Sequence, residues 1–441
     1  MIPRLARIAL VAPALAALLA APACGKGAPA PAPVPVDPGA LGPCGADPQT
    51  GDCPRPPAAP PVDATAAAPA VLATNPFGFD LYRELVAKDP SGNLVFSPMS
   101  VATALAMTYA GAAGDTAAQM RAALHLPDGD VHAAFGALLA SLAADRGDGV
   151  TLAVANRLWA QAGFTLLPSF TAVQKAAYGA GVAQVDYVRD ADGARKTINA
   201  WVADQTRDRV RDLIPDGVLD SLTRLVLTNA IYFKGAWETR FDKALTKDAP
   251  FRKLDGATAT VPLMRRTGET PYGYAEVPGA GAVDIVKLPF RGGSASLVVL
   301  VPRAADGLPA LEAAAPGNLA TWLSNLHTVE VSLALPRLSL DVKTSLPAAL
   351  QALGMRDAFD VDAADLSGID GERDLHIADV IHQANITLDE EGAVAAAATA
   401  VVIVTESARI PVEVTADHPF MFVLRDELTG ANLFLGRLAA P

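Results

Sequence analysis

The sequence is poor in the groups from which catalytic and metal centres are usually built. Among 441 residues there are three cysteines, Cys24, Cys44 and Cys53. No CxxC pair occurs, which removes the thiol redox motif and the common zinc knuckle. None of the six histidines is followed by glutamate, so the HExxH zinc-protease helix is absent. No serine has glycines two residues before and two after it, and none precedes a lysine at three residues. GAGAVD at 279–284 carries only part of a dinucleotide loop. Positive charge is also scarce: 35 Lys and Arg stand against 47 Asp and Glu, a formal net charge of −12. With no basic stripe and only 6% aromatics, nucleic acid and anionic membrane surfaces are excluded as general partners. Nothing in the sequence argues for an enzyme, a cofactor or a metal.

What is present begins with an export pattern. Arg4 and Arg7 precede the apolar IALVAPALAALLA, and small residues Ala21 and Ala23 lead to Cys24. Two processing routes fit. One is an ordinary secretory signal over residues 1–24; the other is a lipobox in which Cys24 becomes the lipidated first residue, with Ala21 where leucine is usual. Residues 25–74 are rich in proline and alanine and read as a semi-rigid tether. Cys44 and Cys53 flank GADPQTGD, and in an exported chain such a pair is expected to form a disulfide.

From Asn75 to Pro441 the composition is globular, with 51% hydrophobic residues over the whole chain. Helical spacing appears in FGFDLYRELVAKD, GDTAAQMRAALHL, VHAAFGALLASLAAD, LPSFTAVQKAAYGA, ARKTINAWVADQTRDRV and SLPAALQALG. Strand signals dominate later, in TRLVLTNAIYF, GAVDIVKLPF, SASLVVLVP, TVEVSLALPRLSL, HIADVIHQANITL, PFMFVLRD and ANLFLGRL. Helices first and strands later, without regular alternation, predict an α+β fold.

One stretch resists local assignment. Ala393–Thr405 is thirteen residues without charge, proline or glycine. As a helix it would reach about 20 Å, short of the roughly 30 Å core of a bilayer. Ala395–Ala398 favour helix, whereas Val401, Val402, Ile403 and Val404 favour strand.

Four separated segments, in order, resemble the serpin family: NLVFSPMSVATALAMTYAGAAGDT, LTNAIYFKGAWETRF, HQANITLDEEGAVAAAATAVV and ADHPFMFVLRDELTGANLFLGRL. The resemblance spans about 75–441. It implies a large mixed β-sheet with further sheets, eight or nine helices and an exposed reactive loop at about 391–411. It also implies an endopeptidase inhibitor that works as a suicide substrate on a serine, or alternatively a cysteine, protease. The cleaved loop then enters the main sheet as a new strand. Such a strand is covered on both faces, which accounts for the charge-free run. By position, the resemblance assigns the hinge to Glu390, Glu391, Gly392, Ala393, Val394, Ala395, Ala396, Ala397 and Ala398. A polar shutter falls to Ser97, Ser100, Asn229 and His382, and a breach to Trp237, Arg337 and Glu390. Hinge spacing puts the scissile bond at Glu406–Ser407, with Arg409–Ile410 the main rival and Ala408–Arg409 a third. Ala393 and Val394 depart from the usual Thr or Ser and Glu. A monomer is expected, exported or lipid-anchored; the alternative function is a non-inhibitory serpin serving as a binding module.

Overall fold

A computed structural model describes residues 64–144, 149–179, 181–393 and 410–441. Helix α1 (Ala64–Lys88) starts eleven residues before the boundary expected at 75, which corrects the extent of the tether. Ala67, Ala70, Val71, Thr74 and Phe77 are all buried at helical spacing. Burying that stripe outweighs the hydrogen bond lost at Pro69, so Pro/Ala composition misled the reading here.

Strand β1 (Leu94–Phe96) leads into α2 (Pro98–Tyr109), where Ser97 caps the helix and Pro98 occupies its first turn. Helices α3 (Gly114–Ala123) and α4 (Val131–Ala143) follow, then β2 (Thr151–Gln161), α5 (Pro168–Tyr178), β3 (Ala183–Val185) and α6 (Tyr187–Gln205). The long middle is β-rich: β4 (Leu225–Ala236), β5 (Lys247–Arg252), β6 (Thr258–Val277), β7 (Gly281–Pro289) and β8 (Ala295–Pro302). After α7 (Leu308–Ser324) come β9 (His327–Pro336), β10 (Leu338–Ser345), α8 (Pro347–Ala352), β11 (Asp379–Asp389) and the two-residue β12 (Gly392–Ala393). Strands β13 (Val412–Thr415), β14 (Phe420–Asp426) and β15 (Asn432–Leu438) complete the chain.

Two sheets result, confirming the α+β expectation. Nine strands run in the order β1-β15-β14-β8-β7-β6-β9-β13, with β5 on β6; six run β10-β11-β12-β4-β2-β3. Within the six-stranded sheet β4 and β11 pair directly and in parallel, from Asp379↔Val226 to Asn385↔Tyr232. Above that point β12 lies between them, antiparallel to both. Helix α2 packs against β2 and β4 on one side of this sheet. On the other side α6 and residues 210–219 share a second apolar cluster with β2, β4 and β11.

Candidate functional site

The seam between β4 and β11 is closed below by a polar cluster. The Ser97 amide donates to His382 Nε2 at 3.1 Å, and His382 Nδ1 hydrogen-bonds Asn229 Oδ1. Because Nε2 accepts, the proton sits on Nδ1. Asn229 Nδ2 donates to Ser100 Oγ at 2.6 Å and to Asn156 Oδ1 at 2.7 Å. Ser100 Oγ donates to Asn156 Oδ1 at 3.0 Å, and Asn156 Nδ2 donates to the Ser100 carbonyl at 3.3 Å. Ser97 Oγ accepts from the Ser100 amide at 3.2 Å. The four shutter residues assigned from sequence are therefore in contact, and all are fully or almost fully buried. Asn229 and His382 are register partners across the seam, so their bond ties the two strands side chain to side chain. Burial pushes the His382 imidazole down to about 3, with the Asn229 contact offsetting this in part. Asn156 is a fifth member that sequence reasoning missed. Its signal was its place opposite Asn229 in the β2–β4 register, which only the fold supplies.

The upper end of the seam is held by β4's continuation. Trp237 is buried, stacked on Phe290 with centroids 4.6 Å apart, and its Nε1 donates to the Asp389 carbonyl at 2.8 Å. The Trp237 amide donates to the Glu391 carbonyl at 2.9 Å, and the Phe241 amide to the Glu390 carbonyl at 3.0 Å. Arg337 grips Glu390 through Nη2 at 2.6 Å and Nε at 3.0 Å, and Thr246 Oγ1 adds a third donor at 2.6 Å. Burial alone would raise the Glu390 carboxyl, but the bonds from Arg337 and Thr246 outweigh it and hold the group below its ordinary value. Glu391 instead reaches Lys243 at 2.5 Å, with that lysine in solvent. Thr246 and Lys243 were not foreseen, since polar residues of a loop carry no periodic signal.

Gly392 is required by geometry. Its φ is +137°, and an added Cβ would lie 2.2 Å from the Gly235 carbonyl oxygen and 2.7 Å from Ala236 Cα. Gly392 and Ala393 pair with Asp389 and Leu388 on one side and with Ala236 and Gly235 on the other. Val394, Ala395, Ala396, Ala397, Ala398, Glu406, Ser407 and Arg409 lie outside the described residues, as do Cys24, Cys44 and Cys53. Ile410, just after them, is 96% exposed. Among the described residues no group of His, Cys, Asp and Glu is placed to hold a metal, and no helix is long and apolar enough to cross a membrane.

Comparison with known proteins gives this arrangement a family. Residues 72–441 match the family model Serpin (serine protease inhibitor). The leukocyte elastase inhibitor of Bos taurus is 41% identical over 372 residues, covering 83% of this chain and 97% of that protein. Iris of Ixodes ricinus is 37% identical over 369 residues, 82% of this chain and 96% of that protein. Among solved structures, uncleaved ovalbumin superposes with a TM-score of 0.76 at 31% identity, and maspin with 0.79 at 26%. They cover 85% and 86% of this chain and 100% of theirs. A family match over that span, on a sheet with this seam, makes the chain a member of the serpin family of serine protease inhibitors.

Proposed function

We propose that the chain traps an endopeptidase by letting its cleaved reactive loop complete the six-stranded sheet. The observation that carries this is β12. Two residues of the hinge already lie between β4 and β11, antiparallel to both, while the strands below them pair in parallel. Completing the new strand replaces one parallel ladder by two antiparallel ones, with more hydrogen bonds and slightly better pairing. Continuing the same register downward would set Val394 between Thr387 and Lys234, Ala397 between Ala384 and Ile231, and Thr399 between His382 and Asn229. Residues 395, 397, 399 and 401 would then face the main core. Residues 394, 396, 398, 400 and 402 would face α6. That accounts for Val394 in place of a charge: its neighbours Thr387 and Lys234 are only half-buried, so that site tolerates either. At about 3.3 Å per residue the inserted arm spans roughly 45 Å, enough to carry an acylated protease across the domain.

Glu406–Ser407 is the proposed reactive bond, read by a protease with a basic specificity pocket. Arg409–Ile410 would suit a trypsin-like enzyme, but it lengthens the insertable arm by three residues. The relatives named for leukocyte elastase add an elastase-type enzyme to the candidates. Export, with or without a lipid on Cys24, is the proposed location; the mass of the mature chain from its native host distinguishes the two processing routes.

The test is incubation with a glutamate-specific, a trypsin-like and an elastase-type protease, followed by a denaturing gel and mass measurement of the released C-terminal fragment. A covalent complex is expected, with the fragment beginning at Ser407. Ala397→Arg places a charge against buried Ala384 and Ile231, and should abolish the complex while cleavage continues. Clean cleavage of the unaltered chain, without complex or gain in melting temperature, would reject trapping.

A further inference from the structure

Strand β6 carries a buried cation. Its outward residues Arg265, Thr267 and Glu269 are exposed, whereas Arg266 points inward with Met264 and Thr270 and is only 8% exposed. Nη1 donates to the Thr239 carbonyl at 3.0 Å, and Nη2 donates to Thr270 Oγ1, also at 3.0 Å. The guanidinium lies over the Phe241 ring, 5.6 Å from its centre. Among the described residues Nε, itself buried, finds no hydrogen-bond partner, and no carboxylate offsets the charge. Burial accordingly pushes the guanidinium pKa down, to about 10, so the group is still charged at neutral pH.

Such a group is costly to keep. Taking an ion out of water without a counter-charge costs several kcal/mol, and an apolar side chain of the same size would fill the space more favourably. The contacts of Arg266 fall on one short segment. Thr239 and Phe241 lie in the chain that continues β4, and that chain holds the hinge. The Trp237 amide bonds the Glu391 carbonyl, the Phe241 amide bonds the Glu390 carbonyl, and Thr246 Oγ1 bonds the Glu390 carboxylate. Phe241 also meets Trp237 edge to face at 6.2 Å. Next to Trp237 the Glu238 amide is fastened to the Pro289 carbonyl. One residue further on, Arg266 ties the segment to β6. A charged donor holds the Thr239 carbonyl more firmly than a neutral one, and the cation is drawn to the face of Phe241. A methionine could fill the space but would do neither.

We propose that Arg266 is a positioning residue for the hinge. It fixes Thr239 and Phe241 from behind, so that the amides of Trp237 and Phe241 keep Glu390 and Glu391 in place and leave Gly392 and Ala393 seated between β4 and β11. This rests on the trapping mechanism above. With that first rung formed, the cleaved arm extends a strand that already exists, and ordering begins at Val394. With the rung loose, further residues must be ordered before the arm enters, and entry slows. Entry competes with hydrolysis of the acyl-enzyme, so Arg266 acts through the hinge on the ratio of trapped to merely cleaved outcomes.

The experiment compares entry of the chain's own arm with entry of a separate strand. The full chain and Arg266→Met are each incubated with whichever of the three proteases the chain traps, and trapped and cleaved products are measured on a denaturing gel. In parallel a synthetic peptide of residues 394–408, which needs no hinge, is added to each, and its annealing is followed by the rise in melting temperature. Arg266→Met is expected to lower the trapped-to-cleaved ratio about tenfold, the effect of losing one charge-assisted hydrogen bond, while the peptide anneals no more slowly. A merely loosened sheet would instead admit both strands faster. Arg266→Lys keeps the charge and one donor and should recover part of the ratio. Phe241→Leu removes the ring beneath the cation and should lower the ratio in the same direction; it carries the test if Arg266→Met folds poorly. An unchanged ratio in Arg266→Met would overturn the proposal, as would peptide annealing that slows in step with trapping, or an Arg266→Lys no better than Arg266→Met. If the unaltered chain formed no complex with any of the proteases, the trapping mechanism itself would fall, whereas a complex whose ratio ignores Arg266 removes only the role of that residue.

Discussion

The two sheets of this molecule bury similar side chains but are joined differently. In the nine-stranded sheet β14 sits between β8 and β15, antiparallel to both, and every residue of β8 and β15 is buried. Phe422 lies opposite Gly436, whose missing Cβ leaves room for the ring: a methyl there would come within 2.3 Å of it. In the six-stranded sheet the corresponding central junction, β4 against β11, is parallel, tied by the Asn229–His382 contact and already wedged open at one end. One region has its best pairing now. On the trapping mechanism proposed above, the other gains a better pairing when the cleaved arm enters, and the polar contacts of the seam are what that entry must part. Stability and function should therefore separate between the two sheets.

The largest effect is expected where nothing opens. Phe422→Ala empties a site with no exposure and should cost about 3–5 kcal/mol in denaturant unfolding. The fraction of protease trapped, measured where the variant is still folded, should not change. A Phe422→Ala chain that loses trapping in proportion to stability would erase the distinction drawn between the sheets.

Asn229→Ala should cost less in stability and more in function. It removes donors to Ser100 and Asn156 and leaves the buried His382 Nδ1–H without an acceptor, worth roughly 1–3 kcal/mol. It also removes the side-chain tie between β4 and β11, leaving only their backbone ladder, at the level where Thr399 would enter on the trapping mechanism proposed above. Loop insertion, or annealing of a loop peptide, should accelerate although the protein is less disturbed than by Phe422→Ala. Slower insertion in Asn229→Ala would mean that the cluster guides the arm rather than bars it.

The same contrast governs what could be read in advance. Strands of the closed sheet, such as β8 and β14, are near-continuous apolar runs, and the sequence pattern alone finds them. β6 was invisible, because Pro262, Gly268 and Pro271 interrupt it and its pairing with β7 and β9 imposes the extended form. α7, with Pro316 inside, was missed for the same kind of reason. The start of α1 was concealed by its alanines and Pro69, whose helical state depends on what they pack against. At the seam, Ser97, Ser100, Asn229, His382, Trp237, Arg337 and Glu390 were found only because neighbouring motifs resemble a family. A buried polar residue announces itself through its partners, and those are distant in sequence: Asn229 and His382 are 153 residues apart. Asn156, Lys243, Thr246 and Arg266 had no motif to carry them, and only tertiary structure reveals their contacts.

Acid should probe the seam by titration, with an effect between pH 7 and pH 5 that is smaller than that of Phe422→Ala and within the range given for Asn229→Ala. His382 is held neutral, its pKa pushed down to about 3, while an unfolded histidine titrates near 6.5. Below about pH 6.5 the unfolded chain therefore binds a proton that the folded chain refuses, and stability falls as pH falls, the loss ending only near the folded value. Between pH 7 and pH 5 this single group accounts for about 2 kcal/mol. Glu390 acts in the same direction but lower, since its carboxyl is held below the ordinary range and its contribution is lost only as pH drops through that range. Urea unfolding at pH 7 and pH 5, compared between the unaltered chain and His382→Gln, isolates the histidine. The substitution should flatten the dependence by nearly all of that amount, whereas Phe422→Ala should shift both curves down without altering their separation. If Phe422→Ala also flattened the dependence, the acid-sensitive step would be global rather than seated at the seam.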